Sequence, residues 1–535
     1  MAYSLVLVLL VATSAVFFLV ASKTAKWLRA FLYLRQRLPC SERARSLLSP
    51  TGDLANMNTP DRHRVVTALA EQFGPVFYLR ALWLQARYTA VAIADPYLIS
   101  EVLSNEALDK QSSHGYWIID KMMSDHGEVN LVSSQTDAYW RSIRKVVATS
   151  FSTQQLKKNY HKVAAAGEDL VQVLKDNGAD KAIDMHHGLL CVTVDVISRF
   201  GFNQNFGAVT SFGGGSGQHE FLDSILVATV EAQEFLKKPL RKFLGFLPHV
   251  RHSYATFEHF KTFMRNLVNQ VKAAGEPAAD DMTIAAQLMR CKDPATNKPL
   301  SDGQLLPMAS MFFWAGYDTT GNTMTWTIFQ ISQHPKVEAK IVEELRHHAF
   351  LATPDKPVPE TPKFEDLTRL TYLQSVIKEA QRLYPAVGQG TGRSSDVDVW
   401  LDNGKLKIPA GTTVWVMTHA LQNTSHIWED HDQFIPERWE EAGIENARPR
   451  EDGQKGADNG SAKRWMPFLE GRRNCVGQPL ARTSMASTLC RLYGNFSFRL
   501  ADEMGGPEGV RDSESLALAI INPSNGMFMH AIPRV

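Results

Sequence analysis

The chain has 535 residues, and its 57 Lys and Arg balance 56 Asp and Glu to a formal charge of +1. A balance this close provides no field to gather nucleic acid, so no nucleic-acid partner is expected. Hydrophobic residues at 44% and charged residues at 21% exclude a disordered chain, and the length allows one very large core. The cysteines Cys40, Cys191, Cys291, Cys475 and Cys490 form no CxxC pair and leave an odd one, which argues for a reducing compartment without a disulfide framework.

Residues 1–22, MAYSLVLVLLVATSAVFFLVAS, carry no charge. About 17 apolar-rich positions from Leu5 to Ala21 are just long enough to span a bilayer. Lys23, Lys26, Arg29, Arg35 and Arg37 follow, so the positive-inside rule predicts a cytosolic remainder. A cleaved signal peptide is the alternative, with ATSA offering small residues to a peptidase, but no Lys or Arg precedes the apolar run. KWLRAFLYLRQR then interleaves Trp27, Phe31 and Tyr33 with arginines, the pattern of a segment resting at a membrane interface.

GPVFYLRALWLQARYTAVAIADP, Gly74 to Pro96, is β-rich and broken by a turn, which predicts strands. Helical patterns dominate the middle, and short strands are expected again in GTTVWVMTHA (Gly411 to Ala420) and near the C terminus. Strands at both ends of a helical middle predict a mainly α chain with small β-sheets, an α+β fold in one intertwined domain. NFGAVTSFGGGSGQ (Asn205 to Gln218) reads as a flexible connection between helices. Ala442 to Arg464 is polar and reads as a surface loop.

The stretch from Ser301 to Gln333 opens with the capping box SDGQ and stops before Pro335. That predicts a helix of about 33 residues, roughly 50 Å long, with Pro307 bending its first turns. Its middle, WAGYDTTGN, places Gly316, Asp318, Thr319, Thr320 and Gly321 where each weakens a helix. The expectation is a local distortion kept for a purpose, or a kink at a packing site. TYLQSVIKEAQRLYP, Thr371 to Pro385, predicts a helix capped by Thr371, with Glu379 and Arg382 meeting at i, i+3. Alone, that pair is an ordinary surface contact worth under about 1 kcal/mol. Arg438, in FIPERW, is expected to complete a Glu379–Arg382–Arg438 network behind Cys475. In YWRSIRK, Trp140 and Arg144 share a helix face at i, i+4, as in any amphipathic helix.

MPFLEGRRNCVGQPLA, Met466 to Ala481, puts Cys475 among arginines and glycines, without an apolar socket or a second cysteine. Read as Phe468-x-x-Gly471-x-Arg473-x-Cys475-x-Gly477, this loop resembles the ligand loop of the cytochrome P-450 family, the haem-thiolate monooxygenases. AGYDTT (Ala315 to Thr320) is similar to that family's oxygen-binding motif, Glu379 and Arg382 to its ExxR, Arg438 to the third triad member, and Trp140 with Arg144 to its WxxxR. HPKVEAKIVEEL and ADPYLISEVL also resemble family sequence. The resemblance runs in order from about Gly74 to the C terminus.

The resemblance implies the cytochrome P-450 fold: a transmembrane anchor at 1–22, a basic interfacial linker at 23–60 and one large haem domain at 61–535. It implies haem b, with the Cys475 thiolate as axial iron ligand, Phe468 shielding the loop, and Gly471 and Gly477 bringing N–H groups to the sulfur. Trp140, Arg144, Arg393 (in GTGRSS) and Arg473 would hold the propionates, and Ala315 and Gly316 would border the haem, Gly316 making room for oxygen and a water. Asp318 and Thr319 would be the catalytic pair that delivers protons. Phe313, Trp314, Val387 and INPSNG would line the pocket.

The implied reaction is hydroxylation or epoxidation of a lipophilic substrate at the endoplasmic reticulum membrane. Electrons would come from NADPH through NADPH–cytochrome P-450 reductase, with cytochrome b5 as a further donor. Arg141, Lys145, Lys463, Arg464 and Arg472 would form the basic docking face, and Glu470 would oppose docking. The rivals are a hydroperoxide isomerase or dehydratase, disfavoured by the presence of both Asp318 and Thr319, and a haem sensor, disfavoured by the lack of an output domain.

Overall fold

Helical periodicity through the middle of the chain gathers its apolar faces into one core that runs from Ile118 to Ala531. In this computed structural model the described residues are 24–46, 59–83, 86–110, 116–213, 220–449 and 462–535, with the isolated positions Ser22 and Asp53. The chain is mainly helical with small sheets. The expected membrane span falls on residues 1–21, outside the described residues, and among the described residues no helix is long and apolar enough to cross a membrane. The basic segment that follows is helical over residues 24–37. Phe31 and Leu34 are fully buried there against the sheet, Phe31 lying 6.5 Å from Tyr78. One face of the expected interfacial segment is therefore part of the folded body.

The β-branched runs at the two ends of the chain meet in one sheet. β1 (Val76–Trp83) and β2 (Ala86–Ile93) form an antiparallel pair, and β3 (Ile183–Asp184) lies elsewhere. β4 (Thr391–Ser394) and β7 (Thr413–Val416) complete the order β1-β2-β7-β4, with β5 (Val399–Leu401) and β6 (Leu406–Ile408) as a hairpin between them. Alternation sorts the two faces: Val91, Ile93, Val414 and Val416 enter one apolar cluster, while Ala90, Ala92 and Trp415 enter another. Beyond Val416 the chain turns into the helix Thr418–Asn423, where sequence reading expected strand. Near the C terminus, β8 (Phe496–Leu500), β9 (Glu514–Ala517), β10 (Ile520–Pro523) and β11 (Phe528–Pro533) form the sheet β3-β11-β8 and the hairpin β10-β9.

The long helix is Asp302–Gln333, and Gln304 Oε1 reaches back to the Ser301 amide at 3.0 Å. It is α-helical throughout, Pro307 included, with no break between Gly316 and Gly321. Within it the Thr319, Thr323, Thr325 and Thr327 hydroxyls each donate to the carbonyl four residues earlier, at 2.7 to 2.9 Å, and so find their partners inside the helix. Its glycines serve packing. A Cβ on Gly321 would lie 2.7 Å from Leu190 Cδ2 and 3.2 Å from Leu190 Cα, and one on Gly316 would lie 3.1 Å from Ile197. Both neighbours belong to the helix Met185–Phe202, which the glycines allow to come close.

The helix Arg62–Phe73 ties the C-terminal hairpin to the body. Arg62 donates to Gln389 Oε1 at 3.0 and 2.8 Å, and His63 Nε2 lies 2.5 Å from Glu514 Oε1. His63, His419 and Glu514 are residues of metal-ligand type lying close together. Arg64 engages both Glu514 oxygens, however, so the cluster closes on itself as an ion-pair network.

Candidate functional site

Cys475 stands between a strained turn and a helix start. Leu469 has φ +55° and Gly471 φ +72°, and a Cβ on Gly471 would sit 3.0 Å from Leu103 O, so that position requires glycine. The turn is held by the Cys475 amide donating to Phe468 O at 2.9 Å. Gly477 caps the helix Gln478–Asn495, and the amides of Gly477 and Gln478 donate to the Cys475 sulfur. Gly477 has φ −83°, and a Cβ there would lie 3.9 Å from Sγ, an ordinary contact. Its contribution is the N–H, and its own backbone shape would suit other residues.

Cys475 is exposed, whereas Cys40, Cys191, Cys291 and Cys490 are buried. Closely packed protein around the loop pushes its thiol above the ordinary value, while the Gly477 amide, the Arg144 guanidinium and the Gln478 amide pull it down. Such an opposed set suits a thiolate that gains a cationic partner.

Near this loop, buried cations converge. Arg473 packs over Trp140, its Cζ 4.5 Å from the ring centre, and donates to Ser134 O at 2.6 Å. Arg393, carried on β4, donates to Thr391 Oγ1 at 2.7 Å. Its aim depends on Gly390 (φ +78°), where a Cβ would collide with Val416 O. Arg393 Nη2 and Arg473 Nη1 are buried without a hydrogen-bond partner among the described residues. Lys110 joins them: burial, outweighing the opposing pull of Tyr116, lowers its pKa to about 8, and Arg393 and Arg473 act in the same direction as burial. Its Nζ lies 4.5 Å from the centre of the Tyr116 ring. Burial would raise the Tyr116 phenol, but Lys110 and Arg393 prevail and bring it down to about 8. Asp109 faces this group, but Thr136 already donates to both its oxygens, at 2.6 and 2.9 Å. The cluster therefore carries positive charge and unmet donors, the electrostatics of a site for a multiply charged anion.

The long helix contributes one open stripe. From Leu305 to Ile331 every residue is buried except Ala315, Gly316 and Thr319, which lie at i, i+1 and i+4 on one face. Phe151 connects this region with the cysteine loop, stacking on Phe312 at 6.4 Å and lying beside Gly477. Thr319 Oγ1 donates to Ala315 O at 2.8 Å. Asp318 is buried, and burial raises its pKa to about 7 against a 2.7 Å hydrogen bond from Asn322.

Glu379 and Arg382 are fully buried. Arg382 reaches Glu379 at 2.9 and 3.1 Å, and Arg438 Nε, Trp439 Nε1 and the Ile435 amide also donate to that carboxylate at 2.9 to 3.1 Å. The remaining Arg382 donors go to Gln422 O, His431 O and Gln433 O. Gln422 Oε1 in turn accepts the Met466 amide at 2.9 Å, which couples the triad to the cysteine loop. The helix start at Thr371 is capped by Glu344 of the neighbouring helix Pro335–His347, which accepts the Tyr372 and Leu373 amides at 2.7 and 3.0 Å; the Thr371 hydroxyl does not cap it.

Several expected placements differ. Trp140 Nε1 donates to Leu131 O at 3.0 Å, so its ring supports the arginines instead of presenting an N–H. Arg144 donates to Asn474 Oδ1, one residue from the cysteine. The missing side chain of Gly316 makes room for Ile197, not for oxygen and water. Phe313 is closed into an aromatic cluster with Phe202, Phe206 and Phe221 at 4.5 to 5.4 Å, and is no pocket wall. Arg464 is committed to Ile444 O, Ile427 O and the Trp428 ring, whereas Arg141 and Lys145 are exposed. Lys110 and Tyr116 escaped sequence reading because a lysine after Asp109 carries no motif; only their burial beside Arg393 marks them.

A family model for cytochrome P-450 matches residues 50–525. Similar curated proteins include cytochrome P-450 3A12 of Canis lupus familiaris, 25% identical over 84% of this chain and 83% of its own length. Cytochrome P-450 3A14 of Cavia porcellus is 26% identical over 83% of this chain and 82% of its own, and 3A7 of Homo sapiens 25% over 79% of each. The chain belongs to the cytochrome P-450 family and is an oxidoreductase of the haem monooxygenase class, with a cysteine thiolate as the haem ligand. The residues present fit that group: an exposed thiol with two amides on its sulfur, and buried cations with unmet donors where two carboxylates would bind.

Proposed function

We propose that this chain inserts one atom of O₂ into a lipophilic substrate, by hydroxylation or epoxidation, using electrons from NADPH delivered by NADPH–cytochrome P-450 reductase, with cytochrome b5 as a further donor. The observation that carries this reading is the pairing of the Cys475 thiol with a cluster of cations that outnumber Asp109 and keep unpartnered buried nitrogens on Arg393 and Arg473. Residues 1–22 would anchor the chain in the endoplasmic reticulum membrane and 23–60 would form the basic linker. Residues 61–535 would form the cytosolic haem domain, a division supported by the uncharged run followed by Lys23, Lys26 and Arg29.

Haem bound at this site supplies O₂ activation and electron transfer to iron. Cys475 Sγ would be its iron ligand, and the Gly477 and Gln478 amides would stabilise the thiolate charge. Arg144, Arg393, Arg473 and Lys110 would bind its carboxylates, with Trp140 holding the Arg144 and Arg473 planes. Phe468 and Gly471 shape the loop that would shield the sulfur, and Ala315 and Gly316 would border the bound haem. Thr319 Oγ1, whose proton goes to Ala315 O, can accept a hydrogen bond beside Ala315. Asp318, with a pKa near 7, can take up and release a proton at its carboxyl group under physiological conditions.

The test is spectroscopic. Cys475→Ser should lose the red-shifted Soret band of the reduced carbon monoxide adduct, and Cys490→Ser should keep it. A retained band in the Cys475 variant overturns the assignment.

A further inference from the structure

Helix crossing brings a histidine to the acid that the proposed function assigns to proton transfer. Gly316 lies against Ile197, the Tyr317 carbonyl accepts Thr193 Oγ1 at 2.9 Å, and Gly321 lies against Leu190. Moving up the long helix thus moves down Met185–Phe202, and the side chains of Asn322 and His186 meet between the two helices. The Asn322 amide has a defined orientation: Nδ2 donates to Asp318 Oδ1 at 2.7 Å and to Asp318 O at 2.9 Å. Its Oδ1 must therefore point the other way. Asn322 Oδ1 and His186 Nε2 are both buried, and neither has a well-aligned partner among the described residues. Asn322 is nonetheless near enough to favour the protonated imidazole.

We propose that His186 is a positioning residue: by donating from Nε2 to Asn322 Oδ1 it holds the amide with Nδ2 toward Asp318, and so sets the proton affinity of that acid. This inference rests on the reading of Asp318 as a proton carrier. An Nε2 without a proton would face the Asn322 oxygen with a lone pair, and an amide flip would relieve the repulsion. The flipped amide would turn its oxygen toward Asp318, which favours the protonated acid. The groups that act on His186 are Asp184 and His187 from its own segment and Asn322 from the long helix. Asp318 is acted on by burial and Asn322, with the buried Tyr317 phenol adjacent. Asp184 is committed as the N-cap, accepting the His186 amide at 3.0 Å and the Met527 amide at 2.8 Å.

The experiment follows the Asp318 carboxyl band by infrared difference titration in the haem-loaded resting protein, with Asp318→Asn identifying the band. His186→Leu and Asn322→Leu should each raise the Asp318 midpoint by about one pH unit, the loss of one hydrogen bond to the charged form. His186→Gln, which can still donate, should restore most of the shift. Product formed per NADPH consumed, measured against pH, should move with the midpoint. An unshifted band in both leucine variants overturns the proposal, as does a His186→Gln protein that behaves like His186→Leu. If the band shifts as expected while Asp318→Asn leaves coupling intact, the network stands and the proton role of Asp318 falls.

Discussion

Two arginine-rich regions sit in the interior, and their difference separates architecture from binding. Around Glu379 the accounts close: both carboxylate oxygens accept, and Arg382 spends its donors on Glu379 and three carbonyls. Around Arg393 and Arg473 they do not close, because each guanidinium keeps a buried nitrogen without a partner and Lys110 adds another cation. A buried cation with unmet donors is costly, and a ligand of opposite charge at Arg393 and Arg473 would repay that cost. Charge type is the same in both regions. Satisfaction tells them apart.

The largest expected effect breaks the closed region. Glu379→Ala strands Arg382 and Arg438 as well as the Trp439 and Ile435 N–H groups, at a cost of about 3–5 kcal/mol. Folded yield and the thermal midpoint by circular dichroism should both collapse; an unchanged midpoint would show the triad to be dispensable.

Next come Arg393→Met and Arg473→Met in the open region. Each removes a partly unsatisfied buried charge, so the circular dichroism midpoint should move little. Haem transfer to apomyoglobin should speed up about tenfold per variant, the worth of one charge-assisted hydrogen bond. Unfolding without faster haem loss would make these arginines structural, like Arg382.

A pH series sharpens the contrast further. Lys110 is lowered to about 8 by burial, so its positive charge is present below that pH and lost above it. Bound carboxylates favour the charged amine and move its midpoint upward, so haem affinity is full below about pH 8 and falls as pH rises beyond it. Haem transfer should quicken a few-fold between neutral and alkaline pH, and Lys110→Met should flatten that dependence. Tyr116, also near 8, acts in the same direction by gaining negative charge. An equally steep profile in Lys110→Met would exclude the lysine.

The smallest effect concerns cations that are neither closed nor buried. Arg141 and Lys145 are exposed on the helix Ala138–Ala148. Reversing both to Glu should slow reduction by the reductase by a few-fold at low salt and flatten its salt dependence, leaving haem loss unchanged. Reduction that ignores both salt and reversal would move the docking face elsewhere.

Much of the site was legible because its residues sit in short, ordered motifs. Cys475 and its loop, the ExxR pair and AGYDTT are legible through the family resemblance that they carry together, whereas the capping box at Ser301 and the strands near Val76 follow from local pattern. Other features depended on which partner a group found. Periodicity could not reveal that Thr319 would satisfy itself on Ala315 O, or that Trp140 would spend its N–H on Leu131. Nor could it reveal that Glu344 would cap Thr371–Leu383 from another helix. Poor helix formers in WAGYDTTGN suggested distortion, but the chain stays helical there, with the Thr319 hydroxyl on Ala315 O and Gly316 and Gly321 against a neighbouring helix.

By itself, then, the sequence determined the family, the cysteine loop proposed to hold the iron, the mainly helical class with small sheets, and the charges available to the interior. Those follow from residue type and local spacing, which act over a few positions of chain. Only the tertiary structure decided which arginines are closed and which are open, that Lys110 and Tyr116 join them, and that the glycines of the long helix face Ile197 and Leu190. Those outcomes depend on contacts between segments far apart in sequence, where burial turns an ordinary hydrogen-bond choice into a commitment of several kcal/mol.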